Sequence, residues 1–153
     1  MDEIIKEKIR QTTFIKATPE KVYDTITSGE GWNAFFTKDT EVVPRPGGQI
    51  MFRWVDWGPS FYTTSAGGPV LEAERPHRFV FQWGEKYKTT ITFDLKAEHG
   101  GTVVHLTEEG YPNTSEGRDM MLECASGWGE ALTLLKFYLE FGVVYTPPEK
   151  DVK

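Results

Sequence analysis

The sequence predicts an α+β domain in which a strongly curved antiparallel sheet is covered by one long C-terminal helix. Three observations point there. Between residues 47 and 111 several runs alternate apolar and polar residues, as strands with one buried face do. Beyond Asn113 the apolar period changes to three and four, the spacing of an amphipathic helix. Aromatic residues make up 14% of the 153, five of them Trp, which is much bulk to pack between one sheet and one helix. A sheet with a single buried face needs a cover, and only the C-terminal stretch is long enough to supply it.

Ile9 to Ala17, with Thr12, Thr13, Phe14 and Ile15, reads as the first strand. A helix start follows: Thr18 is placed to cap, Pro19 fits the first helical position, and Glu20 complements the dipole. Val22, Tyr23 and Ile26 keep helical spacing until Ser28-Gly29 stops the segment. Gly31 to Phe36 is expected to form a second short helix with large aromatics.

Strands come next. After Gly47-Gly48, Ile50, Phe52 and Trp54 alternate with Met51, Arg53 and Val55. Val70 to Glu74 predicts a shorter strand, ended by Arg75-Pro76. Phe79, Phe81 and Trp83 alternate with Val80 and Gln82, and Ile91, Phe93 and Leu95 with Thr90, Thr92 and Asp94. Glu98-His99-Gly100-Gly101 is a hairpin turn into a strand with Val104 and Leu106 on one face. Asn113 and Glu116 have capping-box spacing. Met121, Cys124, Trp128, Leu132, Leu135 and Leu139 then mark the long helix. Gly127 and Gly129 interrupt it at about 1 kcal/mol each relative to Ala, which predicts a close approach to the sheet or a bend beside Trp128. One domain over residues 1–146 is expected, with a flexible tail over 147–153.

Composition narrows the function classes. With 17 basic against 23 acidic residues and no basic block, a nucleic-acid binder is not expected. One cysteine, Cys124, allows no internal disulfide and no multi-cysteine zinc site. Met1 to Arg10 lacks the apolar core of a secretion signal, and no apolar run approaches the roughly 20 residues of a membrane span. A cytoplasmic location is expected.

The order of pieces also resembles the helix-grip fold of the START-like (SRPBCC) superfamily. Within it the chain is similar to the family named after the activator of heat-shock protein 90 ATPase. The residues carrying the resemblance are Ala17-Thr18-Pro19-Glu20-Lys21-Val22-Tyr23, Trp32, Gly47-Gly48, Gly68 to Glu74-Arg75-Pro76, Arg78-Phe79-Val80-Phe81-Gln82-Trp83, Gly101-Thr102, Gly110 and Gly127-Trp128. The resemblance implies an apolar or amphipathic small molecule, lipid-like or aromatic and polyketide-like, held between sheet and helix. The co-chaperone that names the family has a further N-terminal domain unmatched here, so its heat-shock activity is not carried over. Family members often have His at the position of Glu108, and inferences resting on that His do not transfer.

No nucleophile elbow, phosphate loop or dinucleotide fingerprint is present, and Gly127-Trp128-Gly129 lies within a helix. His77 and His99 fall in turns, and His105 faces away from Val104 and Leu106, so neither metal nor cofactor is expected. The aromatic set is the better lead. Parity with Val104 and Leu106 turns Phe52, Trp54, Phe81, Trp83 and Phe93 inward, with Met121, Trp128 and Leu132 descending from the long helix and Trp32 and Phe36 from the short one. Packing so many rings without a void is difficult, which predicts a ligand cavity among them.

Glu108 shares the inward parity, so it is expected near the cavity mouth, where an unpaired carboxyl could donate a proton or hold a ligand hydroxyl. Glu123 could stand across from it as a second carboxylate for general acid–base work. Glu108 as a wet or Arg53- or Arg118-paired strand end is the plainer alternative. Arg53 and Asp56 could line an entrance, and Cys124 reads as a core residue with nothing beside it to activate a thiolate. Residues 57–68, rich in Gly, aromatics and hydroxyls, read as a loop suited to a lid or to self-association. Leu134, Phe137 and Phe141 form a second apolar stripe on the last helix, fit for a homodimer.

Three functions follow from these features. The first is a small-molecule binding protein. The second is an enzyme using Glu108 as general acid or base on such a ligand. The third is a protein-interaction module related to chaperone ATPase activators.

Overall fold

Strand β1 (Ile9–Ile15) leads into two short helices, α1 (Pro19–Ile26) and α2 (Gly29–Phe35). Strands β2 (Glu41–Val42), β3 (Gln49–Trp57), β4 (Tyr62–Glu74), β5 (Arg78–Trp83), β6 (Thr89–Glu98) and β7 (Gly101–Glu109) follow, and α3 (Ser115–Phe141) closes the chain. This is a computed structural model describing residues 3–147 and 149. The proposed tail over 147–153 therefore lies mostly outside the described residues. The seven strands form one sheet in the order β1-β7-β6-β5-β4-β3-β2, every pairing antiparallel. This is the helix-grip arrangement: an open, curved sheet with α3 over its concave face.

Local chemistry sets the boundaries. The Thr18 hydroxyl accepts from Lys21 N at 3.2 Å, with Pro19 opening α1. Ser28 does more than end that helix: its hydroxyl accepts from Gly31 N at 3.0 Å, so α2 begins at Gly29, two residues earlier than its aromatics suggest. At α3 the capping residue is Thr114, one position after Asn113, accepting from Gly117 N at 3.0 Å. Glu116 instead pairs with Lys86 at 2.5 Å. Gly142, with φ 66°, ends α3 in the left-handed conformation that glycine adopts without steric cost.

The largest correction concerns residues 57–68. They are not a lid: Tyr62 to Gly68 belong to β4 and pair with β3 from Trp57↔Tyr62 to Ile50↔Gly68, leaving only residues 58–61 as a turn. The glycines that suggest a loop allow the strand to lie close to its neighbours. A Cβ on Gly67 would stand 2.3 Å from Ile50 O, and one on Gly68 2.3 Å from Gln82 O. A bulge between Trp54 and Trp57, with Asp56 at φ 50°, shifts the parity so that both Trp side chains are buried.

The concave face carries the core. Phe52, Phe79, Phe81, Phe93, Ile91 and Leu106 are each at most 1% exposed and meet Trp128, Ala131, Leu132 and Leu135 from α3. Burying a side chain of this size contributes about 1.5–3 kcal/mol. The helix is also tied to the sheet edge, because Gln11 Nε2 of β1 donates to Ala125 O at 2.8 Å. Gly129 stands over that side chain, where a Cβ would lie 3.6 Å from Gln11 Nε2, an ordinary contact. No helix among the described residues is long and apolar enough to cross a membrane.

Candidate functional site

Near the end of β7, Glu108 pairs with Ile9 of β1 on one side and Ile91 of β6 on the other. Strand alternation turns its side chain inward, and it is 0% exposed. Among the described residues it has no cationic partner. Four donors take that place. Trp128 Nε1 donates to Oε1 at 2.8 Å, while Trp83 Nε1 (2.9 Å), Thr89 Oγ1 (2.5 Å) and Tyr111 Oη (2.8 Å) donate to Oε2. An indole nitrogen can only donate, and a carboxylate offers about four lone-pair sites, so donors and acceptor match. Hydrogen bonds to a charged group contribute about 1.5–3 kcal/mol each, which offsets the several kcal/mol of taking a carboxylate out of water.

Glu108 therefore does not stand at the cavity mouth as parity alone suggested. Nor does it pair with Arg53, which is exposed, or with Arg118, which donates to Asn113 Oδ1 at 2.6 Å. Its inward direction is correct, but donor-bearing side chains from β5, β6 and α3 close over it. Burial, reinforced by the Glu108 charge, pushes the Tyr111 phenol far above its ordinary value. Burial also raises the Cys124 thiol; its contact with Tyr111 opposes this, and the Glu108 and Glu123 charges add to it.

The cavity lies on the other side of the two indoles. It is a pocket of about 200 Å³ between the first half of α3 and the sheet, open to solvent on the side of Tyr62, Thr64, Glu123 and Gly127. Its wall is Phe36, Trp54, Tyr62, Thr64, Trp83, Glu123, Cys124, Gly127 and Trp128. Trp83 and Trp128 stack with centroids 5.1 Å apart, and Trp54 meets Trp83 edge-on at 6.3 Å. The Trp54 Nε1 is buried without a hydrogen-bond partner. Gly127 leaves space on the helix side, since a Cβ there would meet nothing within 4 Å.

Of the side chains predicted to face a ligand, Phe36, Trp54, Trp83 and Trp128 lie on this wall, as does the carboxylate candidate Glu123. Trp32, Phe52, Phe81, Phe93, Leu106 and Leu132 pack in the core away from it, with Trp32 Nε1 donating to Ile26 O at 2.7 Å. Met121 is half-buried against the core. Arg53 and Asp56 do not border the cavity. Tyr62 and Thr64, expected in a loop, and Gly127, expected only as a helix interruption, also line this wall; the alternation of Tyr62, Thr64 and Ala66 is a strand signal. Thr89 and Tyr111 were missed because their role exists only through Glu108. His105 lies 3.1 Å from Thr12 Oγ1 on the outer face, and no metal-binding group of His, Cys, Asp or Glu occurs among the described residues.

The family profile described as activator of Hsp90 ATPase homolog 1-like protein matches residues 16–140. The chain belongs to this family. The span takes in α1 through nearly all of α3, and therefore the whole cavity wall. Among solved structures, the fold is similar to the Aha1 dimer from Colwellia psychrerythraea, at 26% identity and a TM-score of 0.75, covering 89% of this chain and 98% of that one. A protein from Rhodobacter sphaeroides is 26% identical with a TM-score of 0.71, covering 90% and 97%. CalU16 from Micromonospora echinospora, at 22% identity and a TM-score of 0.64 over 88% and 76%, shares the fold. No curated protein matches the chain.

Proposed function

We propose that this member of the family is a small-molecule binding protein whose ligand sits between α3 and the sheet. The observation that carries the reading is the aromatic cavity itself: five rings around about 200 Å³, with a buried indole N–H on its wall lacking an acceptor. Size refines the ligand. Benzene occupies an engineered cavity of about 150 Å³, and drug-sized ligands need about 300–1,000 Å³. A ring-sized apolar molecule, or one ring of a larger aromatic, fits better than a whole lipid. An acceptor on it would satisfy Trp54 Nε1.

The catalytic reading has less support, because Glu108 is saturated by four donors and separated from the cavity by Trp83 and Trp128. We also propose self-association through the end of α3, where Phe137 is 45% and Phe141 64% exposed. The dimeric relative favours a second copy of the chain as the occupant of that face.

Binding is tested with a panel of indole, menthol and 1-decanol, followed by melting temperature and the indole N–H resonances in nitrogen-resolved NMR. Ligand should move the Trp54, Trp83 and Trp128 signals and leave Trp32 in place. A panel that shifts neither readout overturns the reading.

A further inference from the structure

We infer that the cavity selects organic cations, so that its ligand is an apolar amine or quaternary ammonium compound rather than a fatty acid or other anion. This rests on the binding function proposed above and specifies the charge of the ligand.

The wall is rich in aromatic faces and poor in positive charge. Phe36, Trp54, Tyr62, Trp83 and Trp128 surround the space, and among the described residues no Lys, Arg or His borders it. A cation over an indole or phenol face is attracted by the ring quadrupole, most strongly where water is excluded. Two carboxylates add to this. Glu123 borders the cavity from α3, and Glu108 lies directly behind the stacked indoles, bonded to both ring nitrogens at 2.8 and 2.9 Å. Neither forms an ion pair among the described residues. Donation from both N–H groups into one carboxylate polarises the rings and enriches the faces that a cation would meet. The Cys124 thiol on the same wall is raised first by burial, and the nearby Glu108 and Glu123 charges act in the same direction. An anion entering here would meet like charge, whereas a cation would meet opposite charge and aromatic faces.

The test compares three probes of similar size on the intact chain: phenyltrimethylammonium, its uncharged isostere tert-butylbenzene, and 3-phenylpropanoate. Affinities are read from the Trp54, Trp83 and Trp128 indole resonances. The cation should bind about tenfold more tightly than its isostere, and the anion should bind most weakly. Glu123→Gln, at an exposed helix position, should weaken the cation about two- to fivefold and leave the isostere unchanged. If the isostere or the anion binds as tightly as the cation, the charge inference fails and the binding function stands. If none of the three moves the wall resonances, both fail.

Discussion

Trp83 of β5 and Trp128 of α3 stack at 5.1 Å and 22° and direct their indole nitrogens to opposite oxygens of one carboxylate, Glu108. The pair joins sheet to helix at the point where the cavity begins. Its rings form the cavity wall, while its polar edges are spent on a buried anchor. One buried side chain thus fixes the orientation of two lining residues from different elements.

The first prediction tests that anchor. Glu108→Gln preserves shape but replaces an acceptor with an NH₂ that faces a donor, so at least one hydrogen bond is lost. Urea unfolding should show a loss of about 1–3 kcal/mol. Glu108→Leu leaves all four donors unpaired and should lose more than Gln. Equal stability of Glu108→Gln and wild type would contradict the anchoring role.

The second concerns Tyr111. Its folded phenol is held above the ordinary 10.0, so the native state keeps a proton that the unfolded chain releases above that pH. The contribution is complete below about pH 10 and declines as pH rises further. Tyr111→Phe should cost about 1.5–3 kcal/mol at neutral pH through the lost bond to Glu108. It should also flatten the alkaline fall in stability measured between pH 9 and 11. A residual slope should remain, because burial raises Tyr23 and Tyr62 as well.

Much of the fold was legible because period and caps agree with tertiary structure. Phe79-Phe81, Ile91-Phe93 and Val104-Leu106 alternate as the strands do, and Thr18-Pro19 starts a helix in both readings. The misreading of residues 57–68 has a physical source. Glycine is enriched in loops and is also required where a strand backbone passes close to neighbouring carbonyls, as at Gly67 and Gly68. Composition cannot separate the two uses. Strand parity turned Glu108 inward, but whether an inward carboxylate meets solvent or donors depends on Trp83, Thr89, Tyr111 and Trp128. Only folding brings those four together.

The third prediction uses Cys124, which lies on the cavity wall with its thiol raised mainly by burial. At pH 8 it should be less ionised than a free thiol and react with iodoacetamide more slowly than glutathione does. A ligand in the cavity should slow it further. Protection absent at saturating ligand would place the binding site elsewhere.

The fourth tests the apolar end of α3. Phe137→Glu with Phe141→Glu should convert a dimer to monomer in sedimentation velocity, with little change in melting temperature because both side chains are largely exposed. Wild type sedimenting as a monomer at every concentration would remove the proposal.

The fifth separates stability from function at Gly127. A Cβ there meets nothing within 4 Å, and replacing a helical Gly with Ala stabilises by about 0.5–1 kcal/mol. Gly127→Ala should therefore raise stability, whereas Gly31→Ala, whose Cβ would stand 2.0 Å from Thr25 O, should lower it sharply. Gly127→Met extends the same position into the cavity. It should keep the fold and the Trp83–Trp128 stack while weakening cavity ligands about tenfold or more, since a side chain would fill space that the ligand needs. A Met variant that binds as tightly as wild type would show that the space beside Gly127 is not where the ligand sits.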